Sequence, residues 1–169
     1  MKKRFYQHIA FFLALSITTA LAVSCDNAPG RSKSKNAIEV AHQFPNGNWA
    51  FEEEVVAFDF TISDTSRDYR VALSLKYDTA VAVLRTIPLS VTFQTPDGMQ
   101  SVAASNFNLN RKENKDIRIL DSGLAEATVT VFPKRSMKTP GTYHLTVYRR
   151  AEKADNYGFS ELSAIVTPE

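Results

Sequence analysis

Cys25 is the residue best placed for a specific covalent chemistry. It is the only cysteine in the chain, so no intramolecular disulfide and no cysteine-rich zinc site can form. Lys2, Lys3 and Arg4 precede an uncharged, mostly apolar run of 15 residues from Ile9 to Val23, and the run closes on Leu21-Ala22-Val23-Ser24-Cys25. A span of that length is short for a transmembrane helix, which needs about 20 residues, and normal for the apolar part of a secretory signal. A small residue directly before a cysteine at the end of such a run is the pattern of a bacterial lipobox, with Ala22 where Leu is usual and Leu21 one place earlier. The expectation is a signal peptide over residues 1–24 and a mature chain starting at Cys25, which carries a thioether-linked diacylglycerol and a further palmitate-type chain on its amine. Two or three acyl chains anchor stably, at about 0.8 kcal/mol per buried CH₂. The lipid also consumes the thiol, which removes it as a nucleophile, and no other cofactor is implied.

Other reactive residue types do not assemble into a catalytic pattern. His8 leaves with the signal, so His42 and His144 would have to meet in space to share a metal. Glu52-Glu53-Glu54 would point to alternate faces of a strand and cannot converge on one ion. Asp64 and Asp68 lack the spacing and glycine of a calcium loop. Ser32-x-x-Lys35 lies in a polar stretch with no scaffold, and no Gly-x-Ser-x-Gly elbow or glycine-rich phosphate loop is present. The expectation is therefore no catalytic residue, no metal ligand and no marked small-molecule substrate.

Binding residues are the remaining candidates. Basic pairs stand at Arg111-Lys112, Lys134-Arg135 and Arg149-Arg150, either as solvated loop charge or as a docking patch for an acidic partner. Tyr148, Arg149 and Arg150 together give an aromatic-plus-Arg group of the kind enriched at hot spots. Trp49, the only tryptophan, follows an Asn46-Gly47 turn signal. It reads either as a core anchor pinning the chain end or as part of an exposed recognition loop.

The elements that must position these residues are strands. Val56, Phe58, Phe60 and Ile62 alternate with polar or small residues, as do Tyr69 to Tyr77, Ile87 to Phe93, Ala127 to Val131 and Tyr143 to Val147. Weaker strands are predicted near Val102, Phe107 to Leu109, Ile117 to Leu120 and Leu162 to Val166. Thr95-Pro96-Asp97-Gly98 suits a type I turn and Thr139-Pro140-Gly141-Thr142 a type II turn. No apolar stripe of helical period and helix length is present. Half-apolar strands need a second sheet, so the fold class is all-β, a single β-sandwich of immunoglobulin-like or jelly-roll topology. The length of 169 residues fits one such domain over residues 42–169, behind a flexible linker over residues 25–41. The formal charge of +2 loses its meaning once the signal is removed. Lys2, Lys3 and Arg4 go with no acid, leaving 17 basic against 18 acidic residues, and no electrostatic argument for nucleic acid.

The order of these segments resembles a known family. Phe44-Pro45-Asn46-Gly47-Asn48-Trp49, the Val56 to Ile62 strand, Leu73-Ser74-Leu75-Lys76-Tyr77, Pro96-Asp97-Gly98 and Gly141-Thr142-Tyr143 leading to Arg149-Arg150 together resemble the gliding motility lipoprotein GldH family of Bacteroidota. The family's Trp- and Gly-rich stretch is replaced here by Asp121-Ser122-Gly123-Leu124-Ala125. The resemblance implies a non-enzymatic lipoprotein of the cell envelope, most naturally the outer membrane, that supports the gliding or type IX secretion machinery through protein contacts. The alternative expectation is a surface carbohydrate-binding lipoprotein using Trp49, Tyr148 and Tyr157.

Overall fold

The computed structural model describes residues 36–50, 55–82, 84–121, 123–150 and 156–169. The signal peptide, Cys25 and Glu52-Glu53-Glu54 lie outside the described residues. Eleven strands are present among the described ones: β1 (Ile38–Gln43), β2 (Asn48–Trp49), β3 (Val55–Ile62), β4 (Asp68–Asp78), β5 (Thr86–Gln94), β6 (Gln100–Asn108), β7 (Ile117–Ile119), β8 (Leu124–Ser136), β9 (Gly141–Arg149), β10 (Asn156–Tyr157) and β11 (Phe159–Pro168). One sheet has the order β1-β11-β4-β8-β7, the other β3-β9-β5-β6, and β10 pairs with β2 in a short ladder.

This order decides between the two topologies left open by the sequence. With β7 and the β2–β10 ladder set aside, eight strands remain. The first, eighth, third and sixth form one sheet; the second, seventh, fourth and fifth form the other. That is the double Greek key of a jelly roll, with every ladder antiparallel.

The core lies between the sheets, and period-two alternation builds it. Strand β3 buries Val56, Phe58, Phe60 and Ile62 and turns Val55, Ala57, Asp59 and Thr61 outward. Val71, Leu73 and Leu75 of β4 meet Leu89, Val91 and Phe93 of β5 and Leu145 and Val147 of β9 in one buried cluster. Each such side chain contributes roughly 1.5–3 kcal/mol on leaving water. Two tyrosines lock strand ends from inside. Tyr143 donates its hydroxyl to the Thr139 carbonyl at 2.7 Å, and Tyr69 donates to that of Asp64 at 2.6 Å.

The turns follow their residues. Asn46 and Gly47 both adopt positive φ, 55° and 64°, and the Asn48 N–H donates to Pro45 O, so the Asn-Gly pair makes a mirror-image turn that carries the chain from β1 to β2. The Gly98 N–H donates to Thr95 O at 2.9 Å, with Gly98 at φ 85°.

The linker boundary needs correction. Ile38–Gln43 form β1, paired with β11 from Ile38↔Val166 to Gln43↔Glu161, so the sandwich begins four residues before the expected boundary at His42. Ile38 and Val40 pack against the core. Only two large apolar residues mark this strand in the sequence, and its partner lies at the far end of the chain.

Candidate functional site

Strand β9 separates the binding residues expected near its end. Successive side chains leave opposite faces of a sheet. Arg149 therefore points inward and is buried, with its guanidinium 5.7 Å from the Trp49 ring and an N–H reaching Ala50 O at 3.3 Å. Trp49 is fully buried and stacks on Phe44 at 4.9 Å. Neither can present a surface to a partner or a sugar, which corrects their place among the binding candidates: the pair is a core anchor. Tyr148 faces out from the other side of the strand and is 42% exposed; Arg150 is exposed just past the strand end. Tyr157 is exposed on β10.

The two histidines lie on different sheets. His42 is on β1 with its ring 5.1 Å from that of Phe44. His144 lies on the outer face of β9, its Nδ1 2.6 Å from Asp59 Oδ1. Asp64 accepts from the Ser66 hydroxyl and the Ser66 N–H and pairs with Arg67 at 2.8 Å, and these contacts, the hydroxyl first, hold its carboxyl below the usual carboxylate range. Asp68 pairs with Lys134 at 3.3 Å. Among the described residues no group of three His, Cys, Asp or Glu side chains is arranged to hold a metal ion.

The sheet registers define two contrasting outer faces. On the β1-β11-β4-β8-β7 sheet, a polar row crosses all five strands: Gln43, Glu161, Lys76, Glu126 and Arg118. Lys76 Nζ lies 2.9 Å from Glu161, and Arg118 lies 2.5 Å from Glu126, a buried carboxylate that also accepts from Ser74 at 2.6 Å. Opposite charges alternate along this row, so the face is neutralised internally.

On the β3-β9-β5-β6 sheet the outer rows are Val55–Tyr148–Ser90–Ala104, Ala57–Thr146–Thr92–Val102 and Asp59–His144–Gln94–Gln100. The first two rows contain no charge. Val55, Tyr148 and Val102 are exposed, Val102 by 67%, and Met99 is exposed at the neighbouring turn. Sequence reasoning placed Tyr148 here by alternation. The two uncharged rows as a unit were not evident from alternation alone, although their residues, Val55 and Ala57 of β3, Ser90 and Thr92 of β5 and Thr146 and Tyr148 of β9, all stand at outward positions.

A third feature is a groove of about 700 Å³ lined by Arg70, Asn106, Asn108, Glu113, Asn114, Asp116 and residues 128–130 of β8. The Asn108 amide donates to Glu113 at 3.2 Å, and the Asn114 amide donates to Asn108 O at 2.7 Å. No aromatic ring lines this groove.

No protein-family model and no curated protein matches the chain. Among solved structures, it is similar to a carbohydrate-binding module specific for non-crystalline cellulose, with 17% identity and a TM-score of 0.43 over 79% of this chain and 74% of that one. A second likeness, to a chain of infectious bursal disease virus, has 13% identity and a TM-score of 0.20 over 79% of this chain and 39% of that one. The class of molecule is set by the strand order: an all-β jelly-roll sandwich.

Proposed function

We propose that this protein is a non-enzymatic, lipid-anchored protein of the cell envelope, of the gliding motility lipoprotein kind, and that it supports the gliding or type IX secretion machinery by binding a protein partner. The observation that carries the reading is the pair of uncharged outer rows on the β3-β9-β5-β6 sheet, where Val55, Tyr148 and Val102 stand exposed among Ala, Ser and Thr. Such a surface gains from apolar contact and shape. It offers no fixed charges in those rows for a polyanion, so its partner is a folded envelope protein with a similarly uncharged, apolar surface. The lipid on Cys25 confines the domain to the membrane, and the linker sets the effective concentration at which the partner is met.

The test combines fractionation with photo-crosslinking. Cys25→Ala should move the chain to the soluble periplasmic fraction and abolish lipid labelling. A photo-reactive residue at Tyr148 or Val102 should capture one discrete envelope protein, and the same residue at exposed Glu169 should not. Retention of Cys25→Ala in the membrane would remove the anchoring step, and equal capture at all three positions would remove the face.

The groove beside β6 and β8 favours a second reading, a surface carbohydrate-binding lipoprotein, because its amides, carboxylates and Arg70 suit sugar hydroxyls. Binding on a glycan array that is lost in Asn106→Ala/Asp116→Ala would support it, and an array without signal would remove it.

A further inference from the structure

The basic pair Arg111-Lys112, left over by the proposed function, stands at a pocket of about 430 Å³ between the β4–β5 and β6–β7 connections. The Leu109 N–H donates to Arg85 O at 2.7 Å and ties the two connections together. Asn110 fixes the turn that follows, accepting from the Lys112 N–H on its side chain at 3.1 Å and from the Asn114 N–H on its carbonyl at 2.9 Å. Arg85, Arg111 and Lys112 thus line one pocket, with Ala82, Leu84 and Leu109 as its apolar wall. None of the three cations forms a salt bridge among the described residues, and no acid lines the pocket. Glu113, next along the chain, is held by the side-chain amides of Asn108 and Asn110, at 3.2 and 2.6 Å.

Tyr77 belongs to the same pocket and is the independent sign of a ligand. Its side chain is 3% exposed, and its hydroxyl has no hydrogen-bond partner among the described residues. Buried polar groups are nearly always satisfied, so the hydroxyl of this pocket-lining residue is a donor that lacks its acceptor. Burial pushes the phenol pKa up, and Arg111 pulls it the other way by a smaller amount, so the group is a neutral O–H donor near Arg111 at neutral pH.

We propose that this pocket binds a phosphoryl group: Arg111, Arg85 and Lys112 neutralise and fork its oxygens, the Tyr77 hydroxyl donates to one of them, and an apolar portion of the ligand lies on Leu84 and Leu109. Three cations without a neighbouring lining acid suit a dianion better than a carboxylate, and guanidinium matches phosphate geometry. The phosphoryl group belongs either to a soluble phosphate monoester or to the headgroup of an anionic lipid. The inference is independent of the docking face.

Titration calorimetry on the full chain in neutral detergent micelles, with inorganic phosphate and with phenyl phosphate, tests it. Both should bind, and phenyl phosphate should bind several-fold more tightly. Arg111→Ala should weaken binding by roughly tenfold or more, as expected for a lost charge-assisted bond. Tyr77→Phe should weaken it by a smaller factor while melting at the same or a higher temperature, because it removes an unsatisfied group. Phosphatidic acid, a lipid phosphate monoester, doped into the micelles should displace phenyl phosphate if the source is lipid and leave it bound if the source is soluble. Absence of heat with either phosphate, or wild-type binding by Arg111→Ala and Arg85→Ala, would overturn the proposal. Tyr77→Phe with a lowered melting temperature and unchanged binding would overturn the role of the hydroxyl.

Discussion

Glu161 shows how one carboxylate of the polar row is held on the β1-β11-β4-β8-β7 sheet. Burial by itself would raise its carboxyl pKa. Hydrogen bonds from Lys76, Gln43 and Ser163, with the Lys76 charge, more than offset that and hold it below its ordinary 4.5. A carboxyl with a depressed folded pKa stabilises the protein above the unfolded pKa, and the contribution is lost as pH falls through the lower folded value. Glu161→Gln should therefore cost about 1–3 kcal/mol at pH 7, the usual worth of bonds to a charged group. The gap to wild type should close below pH 4.5, as read by denaturant unfolding along a pH series; a gap constant with pH would mean the charge is irrelevant. Residue roles were only partly legible in the sequence. Trp49 was readable as a core anchor, but nothing in its neighbourhood showed that Arg149, a hundred residues on, folds back over it. That contact follows from which face of β9 turns inward at the strand end, and a basic residue there reads as solvated.

At the scale of elements, alternation and turn residues located all the strong strands, because half-buried strands write their period into the chain. They did not reveal β1, whose stability comes from pairing with β11, or the strand order, which long-range pairing decides. Tight junctions between elements were equally hidden. Gly158 has φ 86°, and its N–H donates to Gly47 O at 2.8 Å while its carbonyl accepts from the Asp78 N–H at 2.7 Å. A Cβ there would lie 2.8 Å from the Ala82 backbone nitrogen. Gly98 shares the conformation, with φ 85° and nothing within 4 Å of an added Cβ. Gly98→Ala should cost roughly 1–2 kcal/mol, the left-handed backbone penalty alone. Gly158→Ala should cost that plus about 1–3 kcal/mol for forcing apart packed backbone. Equal melting temperatures for the two variants would show that the junction yields freely and that only φ matters.

Across the whole molecule, charge is sorted rather than abundant. One sheet pairs its charges along a row, the other presents two uncharged rows, and three cations without a salt bridge among the described residues line one pocket. This sorting predicts opposite salt responses for the two kinds of binding. At about 0.5 M salt the screening length drops to a few Å, so contacts between exposed charges fade while apolar burial persists. Capture of the partner through the β3-β9-β5-β6 face should thus be nearly unchanged between about 0.05 and 0.5 M NaCl, whereas phosphate binding at Arg85, Arg111 and Lys112 should weaken several-fold over the same range. Val102→Glu places a carboxylate in the apolar contact without touching the core, since Val102 is an exposed residue of β6. It should reduce capture by roughly tenfold or more, the cost of desolvating an unpaired charge, and leave phosphate binding as it was. Capture that falls with salt and tolerates Val102→Glu would move the partner from the uncharged face to one of the charged surfaces.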